Sequence, residues 1–397
     1  MKKKTIKILA IILSLYQFSC NSKVDMPLTR IYDNEKFGFI DTLGKIVIPA
    51  TYDLAGGFNN GLAIAGSNEK YGFINNKGEF VIEPKYQFNS SPLDITYAPK
   101  NPDNVFGDLI ATYSFNDGLA LYYDTTLKLF GYINIKGEVI IKPKFRNATR
   151  FRNGFAVVDN NIGTINYDSS IKMSLINIKG DIIIDKKFDR LTRPSKNFLT
   201  GTIISDANPG VNISAFVLNT NGQIINSILP NNNVLTNEFS GGYCRGINVS
   251  YGFDGTSFIY DSTGKTFNKS NGEIAYFDDV IINRGHFFWI KVDGKYSWFK
   301  LSTENQIVAP DNKVYDEVKG GFDVNSIAAV KYYDENTGKS LFGFIDSLGN
   351  FIIPPRFENA SNFQNGLAYV KLKSFAVTIN GYINKKGELV WSREQND

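Results

Sequence analysis

"YGFINNKGEFVIEPKY", residues 71–86, returns as "FGYINIKGEVIIKPKF" at 130–145 and as "FGFIDSLGNFIIPPRF" at 342–357, and first occurs as "FGFIDTLGKIVIPATY" at 37–52. Each copy has three parts. Aromatic-Gly-aromatic-Ile, as in Tyr71-Gly72-Phe73-Ile74, leads into a polar four-residue turn that ends in Gly78. A second alternating run, Phe80 to Ile82, then closes at Pro84. Two short β-rich runs around a glycine-ended polar turn spell a hairpin. About ten residues on, Phe58-Asn59-Asn60-Gly61-Leu62-Ala63 and its counterparts beginning at Phe115, Phe151 and Phe363 add a tight turn and a third strand. The small Ala360, between Phe357 and Phe363, fits either a helical turn or an irregular connection.

The phrase persists in worn form through residues 174–310 and recurs at the end as "GYINKKGELVW" from Gly381. Successive copies begin near residues 37, 71, 130, 174, 215, 257, 297, 342 and 380, a step close to forty except where residues 89–112 are inserted. A hairpin with one added strand has no way to bury its own apolar face, so each unit needs neighbours. The sequence therefore predicts an all-β repeat domain over residues 29–397, a β-propeller of about eight units of roughly forty residues, with an open β-solenoid as the alternative. The ends favour the ring: "LTRIYDN" (28–34) offers an orphan strand, and the last unit stops after "GELVW" with no strand to follow.

These residues resemble the WG-repeat family, named for a Trp-Gly pair that here reads Phe37-Gly38, Tyr71-Gly72, Phe130-Gly131 and Phe342-Gly343. The resemblance rests on the longer "GFI(D/N)..G..(V/I)IP..(F/Y)" and "F..GLA" patterns. It implies an all-β repeat protein, often exported, with no catalytic activity attached to the motif.

Composition agrees with a large strand-rich core: of 397 residues, 43% are hydrophobic and 14% aromatic, and glycine is abundant. The N-terminus reads differently. Lys2, Lys3, Lys4 and Lys7 precede a short apolar run, Ile8 to Leu15, and then Ser19-Cys20. That is a secretory signal, too short to span a bilayer. It resembles a bacterial lipoprotein signal in which Cys20 is the lipid anchor, residues 1–19 are removed and residues 20–28 form a tether. Gln17 departs from the usual aliphatic residue, and a plain signal peptide is the alternative. Losing residues 1–19 removes four lysines and no acids, so the net charge falls from +4 to zero. With Cys20 acylated, Cys244 is left alone and forms no intramolecular disulfide. The expected address is the bacterial cell envelope, exported and lipid-anchored, with the outer membrane as the anchoring membrane.

Catalytic chemistry has a thin inventory. His286 is the only histidine and no G-x-S-x-G nucleophile accompanies it. One His and one remaining Cys do not fill a zinc site, so no metal or cofactor is expected. Cys244 reads as a small buried residue. The carboxylate pairs Asp278/Asp279 and Glu317/Asp323 lack any recurring context. "DNNIGTINYDSS" (159–170) lacks the spacing of an EF-hand loop. A neutral, exported chain gives no footing for nucleic acid. Three residues stand as candidate binding positions: Tyr97, inside the Pro/Asn-rich insertion, and Trp289 and Trp298, in the most degenerate unit. For the two tryptophans core packing is the alternative. The sequence thus points to an envelope-anchored, non-catalytic scaffold that recognises an envelope protein or glycan. A carbohydrate-binding or carbohydrate-degrading propeller, and a purely structural assembly factor, are its rivals.

Overall fold

In the computed structural model the described residues are 27–67, 69–89, 111–159, 172–195, 197–206, 211–228, 234–236, 240, 243–248, 257–263, 265–266, 277–282, 287–301, 307–308, 313–322, 326–335, 338–374 and 377–396. Their strands form a ring, a β-propeller, in which the array of about eight units read from the sequence divides into nine hydrogen-bonded antiparallel sheets. The second sheet shows the pattern. A two-residue strand, Leu54–Ala55, pairs with Ala63–Ser67, which pairs with Lys70–Ile74, which pairs with Phe80–Tyr86.

The opening phrase supplies the last two strands of its sheet, the third and fourth where there are four; the three-stranded first and third sheets lack the short opening strand, and their strands keep the corresponding position numbers. Tyr71 faces Tyr86 and Phe73 faces Ile82, so Gly72 alone opposes the three residues Glu83-Pro84-Lys85. The same bulge recurs opposite Gly38, Gly131 and Gly343. It presses the fourth strand's backbone onto the glycine: a Cβ on Gly343 would lie 2.8 Å from the Ile353 carbonyl and the Pro355 nitrogen. Proline belongs there because a bulge asks for no ladder donor. Pro84 therefore sits inside the bulge, and the strand runs on past it to Tyr86. In the fifth sheet Phe216 takes the glycine's place, and there Phe216 pairs directly with Ser227 with no bulge at that position.

The turn between these strands is equally specified. Asn134 Oδ1 accepts the backbone N–H groups of Lys136 and Glu138, both at 3.0 Å, while Gly137 takes φ +79°. Asp41, Asn75, Asn177, Asn219, Asp261, Asp346 and Asn384 make the same pair of bonds. The (D/N)..G spelling is this cap.

Two expectations change in detail. The "F..GLA" strand opens the next sheet instead of completing its own: Ala63–Ser67 pairs with Lys70–Ile74, across a short turn, whereas one residue, Asp53, separates Tyr52 from Leu54. Ala360 lies in a two-residue strand, Asn359–Ala360, paired with Ala368–Ser374. With this phase the last sheet has all four strands, and Thr29–Asp33 pairs with Lys36–Ile40 in the first. The ring closes without strand exchange. It closes by packing: Ile31 and Ile40 of the first sheet bury against Leu367, Tyr382, Val390 and Trp391 of the last.

Every hydrophobic cluster spans neighbouring sheets. Ile48 and Phe39 pack with Ala63 and Ile74 across the first joint, and Phe344 and Phe357 with Ala368 and Ile383 across the last internal one. At repeated joints the turn glycine rests on the preceding sheet's isoleucine, Gly78 on Ile48, Gly137 on Ile82 and Gly180 on Ile141. Each unit thus gains its interior from the next, as stacked repeats require.

Candidate functional site

Strand direction sorts the connections into two faces. Each sheet's second strand runs away from the "F..G" turn, the third runs back, and the fourth away again. The "F..G" turns and the Asx-capped turns therefore share one face. The connections between second and third strands, and those joining one sheet to the next, share the other. The Asx-capped turns of the first face are uniform, a four-residue turn in every described copy, whereas the connections there between first and second strands run from residues 283–286 to 319–327. The second varies: its connections range from residues 34–35 in the first sheet to 125–128 in the third and 160–172 in the fourth. The insertion at 89–112 also opens here. Its margins are tied together, since the Tyr113 hydroxyl bonds both the N–H and the carbonyl of Asn89, each at 2.9 Å. Residues 90–110 lie outside the described residues, and Tyr97 with them.

The described part of this variable face carries a repeated ion pair that the sequence reading did not single out. Lys172 Nζ donates to both carboxylate oxygens of Asp189 at 2.7 Å. Lys36 pairs with Asp53 and Lys295 with Asp316 at the equivalent positions, each through one carboxylate oxygen. The lysine stands just before the first-aromatic slot of the phrase (Phe37, Tyr296, and Met173 in the fourth sheet) and the acid just after its last aromatic, and that spelling was available as the signal. Burial alone raises the Asp316 carboxyl, but donors on Lys295 and Ser340 outweigh it and hold it below the ordinary value. Beside it, Arg245 grips Asp279 at 2.6 Å and the Tyr296 hydroxyl donates to the same carboxylate at 3.0 Å. Burial, then the Asp279 charge, pushes Tyr296 up to about 12. Leu127 and Tyr333 stand exposed on this face. On the described part of this face these carboxylates are each matched by a cation or a hydroxyl donor.

Of the three candidate binding residues, Trp289 and Trp298 are among the described residues. Trp289 and Trp298 face each other across two strands, and each is 1% exposed. Trp289 stacks on Phe322 at 5.6 Å and meets Tyr315 edge-on at 5.7 Å, filling the joint between the seventh and eighth sheets. They offer no ring to a ligand, because two adjacent large residues in a worn unit are what the wedge between sheets needs. Cys20 and His286 lie outside the described residues, as do residues 160–170 of the Asp/Asn-rich loop. Cys244 is buried, with its sulfur accepting from the Tyr260 hydroxyl at 2.8 Å. Asp279 is committed to Arg245 and Tyr296, and Glu317 pairs with Lys319 at 2.6 Å; Asp323 lies outside the described residues. Among the described residues no group of three or more His, Cys, Asp or Glu side chains is placed to hold a metal ion, and no helix is long and apolar enough to cross a membrane.

No curated protein matches the chain. Among solved structures, BamB from Moraxella catarrhalis is 11% identical, with a TM-score of 0.34 over 84% of this chain and 94% of that one. Porphyromonas gingivalis dipeptidyl peptidase 4 is 8% identical, with a TM-score of 0.46 over 91% of this chain and 63% of that one. Kluyveromyces lactis Hsv2 is 12% identical, with a TM-score of 0.34 over 81% and 95%. The family model of the WG containing repeat matches residues 37–71, 71–88, 130–161, 173–200 and 342–374, and over those five stretches the chain carries that repeat.

Proposed function

We propose that the protein is an envelope-anchored, non-catalytic propeller whose variable face recognises an envelope protein. The observation that carries this reading is the asymmetry of the ring. One face repeats a capped turn of constant length, while the widest departures in connection length, from residues 34–35 to 160–172, fall on the opposite face. Rigid scaffolds that carry variation at one set of loops use those loops for contact. The lipoprotein-like start, with Cys20 as the acyl acceptor, supplies the address. The non-enzymatic reading is supported by the carboxylates at Asp279 and Glu317 being tied into ion pairs.

The test is crosslinking of the full chain in intact envelopes, compared with Leu127→Glu and Tyr333→Glu on the variable face and Lys136→Ser on the uniform one. A defined protein adduct that falls at least tenfold in the first two variants and persists in the third is the expected result. Adduct yield indifferent to the two variable-face changes overturns the reading. Binding on a glycan array, or sugar release abolished by changing one carboxylate, replaces it with the carbohydrate alternative.

A further inference from the structure

We infer that the uniform face docks on a phospholipid bilayer, with Leu43 and Leu348 entering the headgroup layer on either side of the point where residues 1–27 join the ring. The inference rests on the envelope-anchored reading above and adds an orientation to it.

Three observations meet at one arc of the ring. First, Leu43 and Leu348 occupy the same slot of the Asx-capped turn, in Asp41-Thr42-Leu43-Gly44 and Asp346-Ser347-Leu348-Gly349. They are 76% and 71% exposed, the two highest values among the exposed large apolar side chains of the described residues. The caps hold them out on fixed backbone: Asp41 accepts the Leu43 N–H and Asp346 the Leu348 N–H, each at 2.9 Å. In the other described turns this slot holds Lys77, Lys136, Lys179, Asn221, Thr263 and Lys386, so the leucines are not demanded by the fold. Second, the two turns belong to the eighth and first sheets and flank the ninth, whose turn presents the exposed pair Lys385 and Lys386. The first and ninth turns lie close, since Gly44 packs against Val390. Apolar tips with lysines beside them are what an interfacial contact uses: the tips leave water and the ammonium groups reach the phosphates.

Third, the chain enters the ring on this same face. Thr29 begins a second-position strand, which starts at the "F..G" turns, and the Leu28 carbonyl accepts from Asn365 Nδ2 at 3.2 Å, in the "F..G" turn of the ninth sheet. An acylated Cys20 is joined to Leu28 by seven residues, a reach of about 25 Å when fully extended. An anchor that short at this edge keeps the leucine-bearing arc toward the membrane and turns the variable face to the partner. Both halves of the molecule then have a use.

The test places a polarity-sensitive fluorophore at Leu43→Cys, Leu348→Cys or Leu127→Cys in the full chain, with Cys244 shielded by burial. The labelled protein is reconstituted into phosphatidylethanolamine–phosphatidylglycerol vesicles containing brominated acyl chains. Quenching at positions 43 and 348 at least threefold above that at 127 is the expected result. Equal quenching at all three sites, or quenching only at 127, overturns the docking. Labels at 43 and 348 that are shielded in native envelopes but unquenched in pure vesicles also overturn it, in favour of a protein covering this face. Acyl labelling compared with Cys20→Ala separates the two ideas. An unacylated Cys20 with the quenching contrast intact removes the anchor and leaves the docking; an acylated Cys20 without the contrast does the reverse.

Discussion

The Tyr382 hydroxyl donates to the Arg30 carbonyl over 2.8 Å, joining the last sheet to the first across almost the whole chain. Burial pushes the Tyr382 phenol up to about 12, so it remains a donor at any ordinary pH. A second bond runs parallel: Asn365 Nδ2 to the Leu28 carbonyl repeats the bond of Asn153 Nδ2 to the Pro194 carbonyl between the fourth and fifth sheets. The closing joint is therefore chemically the same as an internal one. Asn365→Ala and Asn153→Ala should each lower stability to urea by about 2 kcal/mol, about half from the hydrogen bond and about half from alanine at the φ of +54° that both positions adopt, and agree within about 0.5 kcal/mol. A silent Asn365→Ala beside a costly Asn153→Ala would mean that the ring is open in solution.

The repeat was legible because each letter has a local cause. Gly78 stands for φ +83°, Asn75 for a capped turn, Tyr71 and Phe73 for the wedge between sheets. Those causes act within one hairpin, so they survive in a single sequence. The phase of the unit was less legible, because the "F..GLA" strand is about equally near the hairpins on either side and only the pairing of Ala63 with Ile74 decides between them. Closure was misread in detail for a related reason. An orphan first strand suggested exchange, but side-chain packing at Ile31 and Leu367 leaves no composition signal of its own. The Lys172–Asp189 pair was spelled plainly at positions flanking the phrase, and went unread because charges at strand ends usually mean only solvent.

Gly343 and Gly61 separate two uses of glycine. A Cβ at Gly343 meets backbone on the bulged strand, while Gly61 has φ +79° and open space around it. Gly61→Ala should cost about 1 kcal/mol from backbone strain alone. Gly343→Ala should cost about 3 kcal/mol or more, because the Ile353–Pro355 backbone must move. Thermal or urea unfolding of the two variants measures the difference; equal losses would remove the close-approach account of the aromatic-Gly pair.

Trp298 and Trp289 fill the joint between the seventh and eighth sheets, so shortening either should act on stability. Trp298→Ala is expected to cost about 3–5 kcal/mol. Trp298→Phe, which keeps most of the volume, should recover more than half of that. A Trp298→Ala chain with wild-type unfolding but altered partner capture would return the residue to the surface.

Asp346 is the acid-sensitive cap. Burial opposes its charge, but the backbone N–H groups of Asn350 and Leu348 prevail and hold its carboxyl below the ordinary value of 3.8. A depressed folded-state value adds stability that is complete above the unfolded value and is lost as pH falls through the folded one. Asn accepts the same two N–H groups without titrating. The stability advantage of wild type over Asp346→Asn should therefore be present at pH 6 and shrink below about pH 3.8. Urea midpoints of both proteins at pH 6 and pH 2.5 test this, and a gap independent of pH would rule out the cap as the titrating group.

Asn134 Nδ2 donates to Glu138 Oε2 at 2.6 Å, and the pattern repeats as Asn75 with Glu79, Asn177 with Asp181, Asn219 with Gln223 and Asn384 with Glu388. Where the cap is Asp, the fifth residue changes sign or donates: Asp41 with Lys45, Asp261 with Lys265, Asp346 with Asn350. The cap and the residue four later are thus matched as donor to acceptor or as opposite charges. Asn134→Asp keeps both backbone bonds but sets its carboxylate against Glu138, and should cost about 0.5–1 kcal/mol, as like charges in close pairs do. Glu138→Lys alone loses the acceptor and should cost about 0.5 kcal/mol at this exposed site. The double variant restores the Asp–Lys form and should lie within about 0.3 kcal/mol of wild type. Urea titrations of the four proteins give the coupling directly, and additive losses would show that the two positions vary independently.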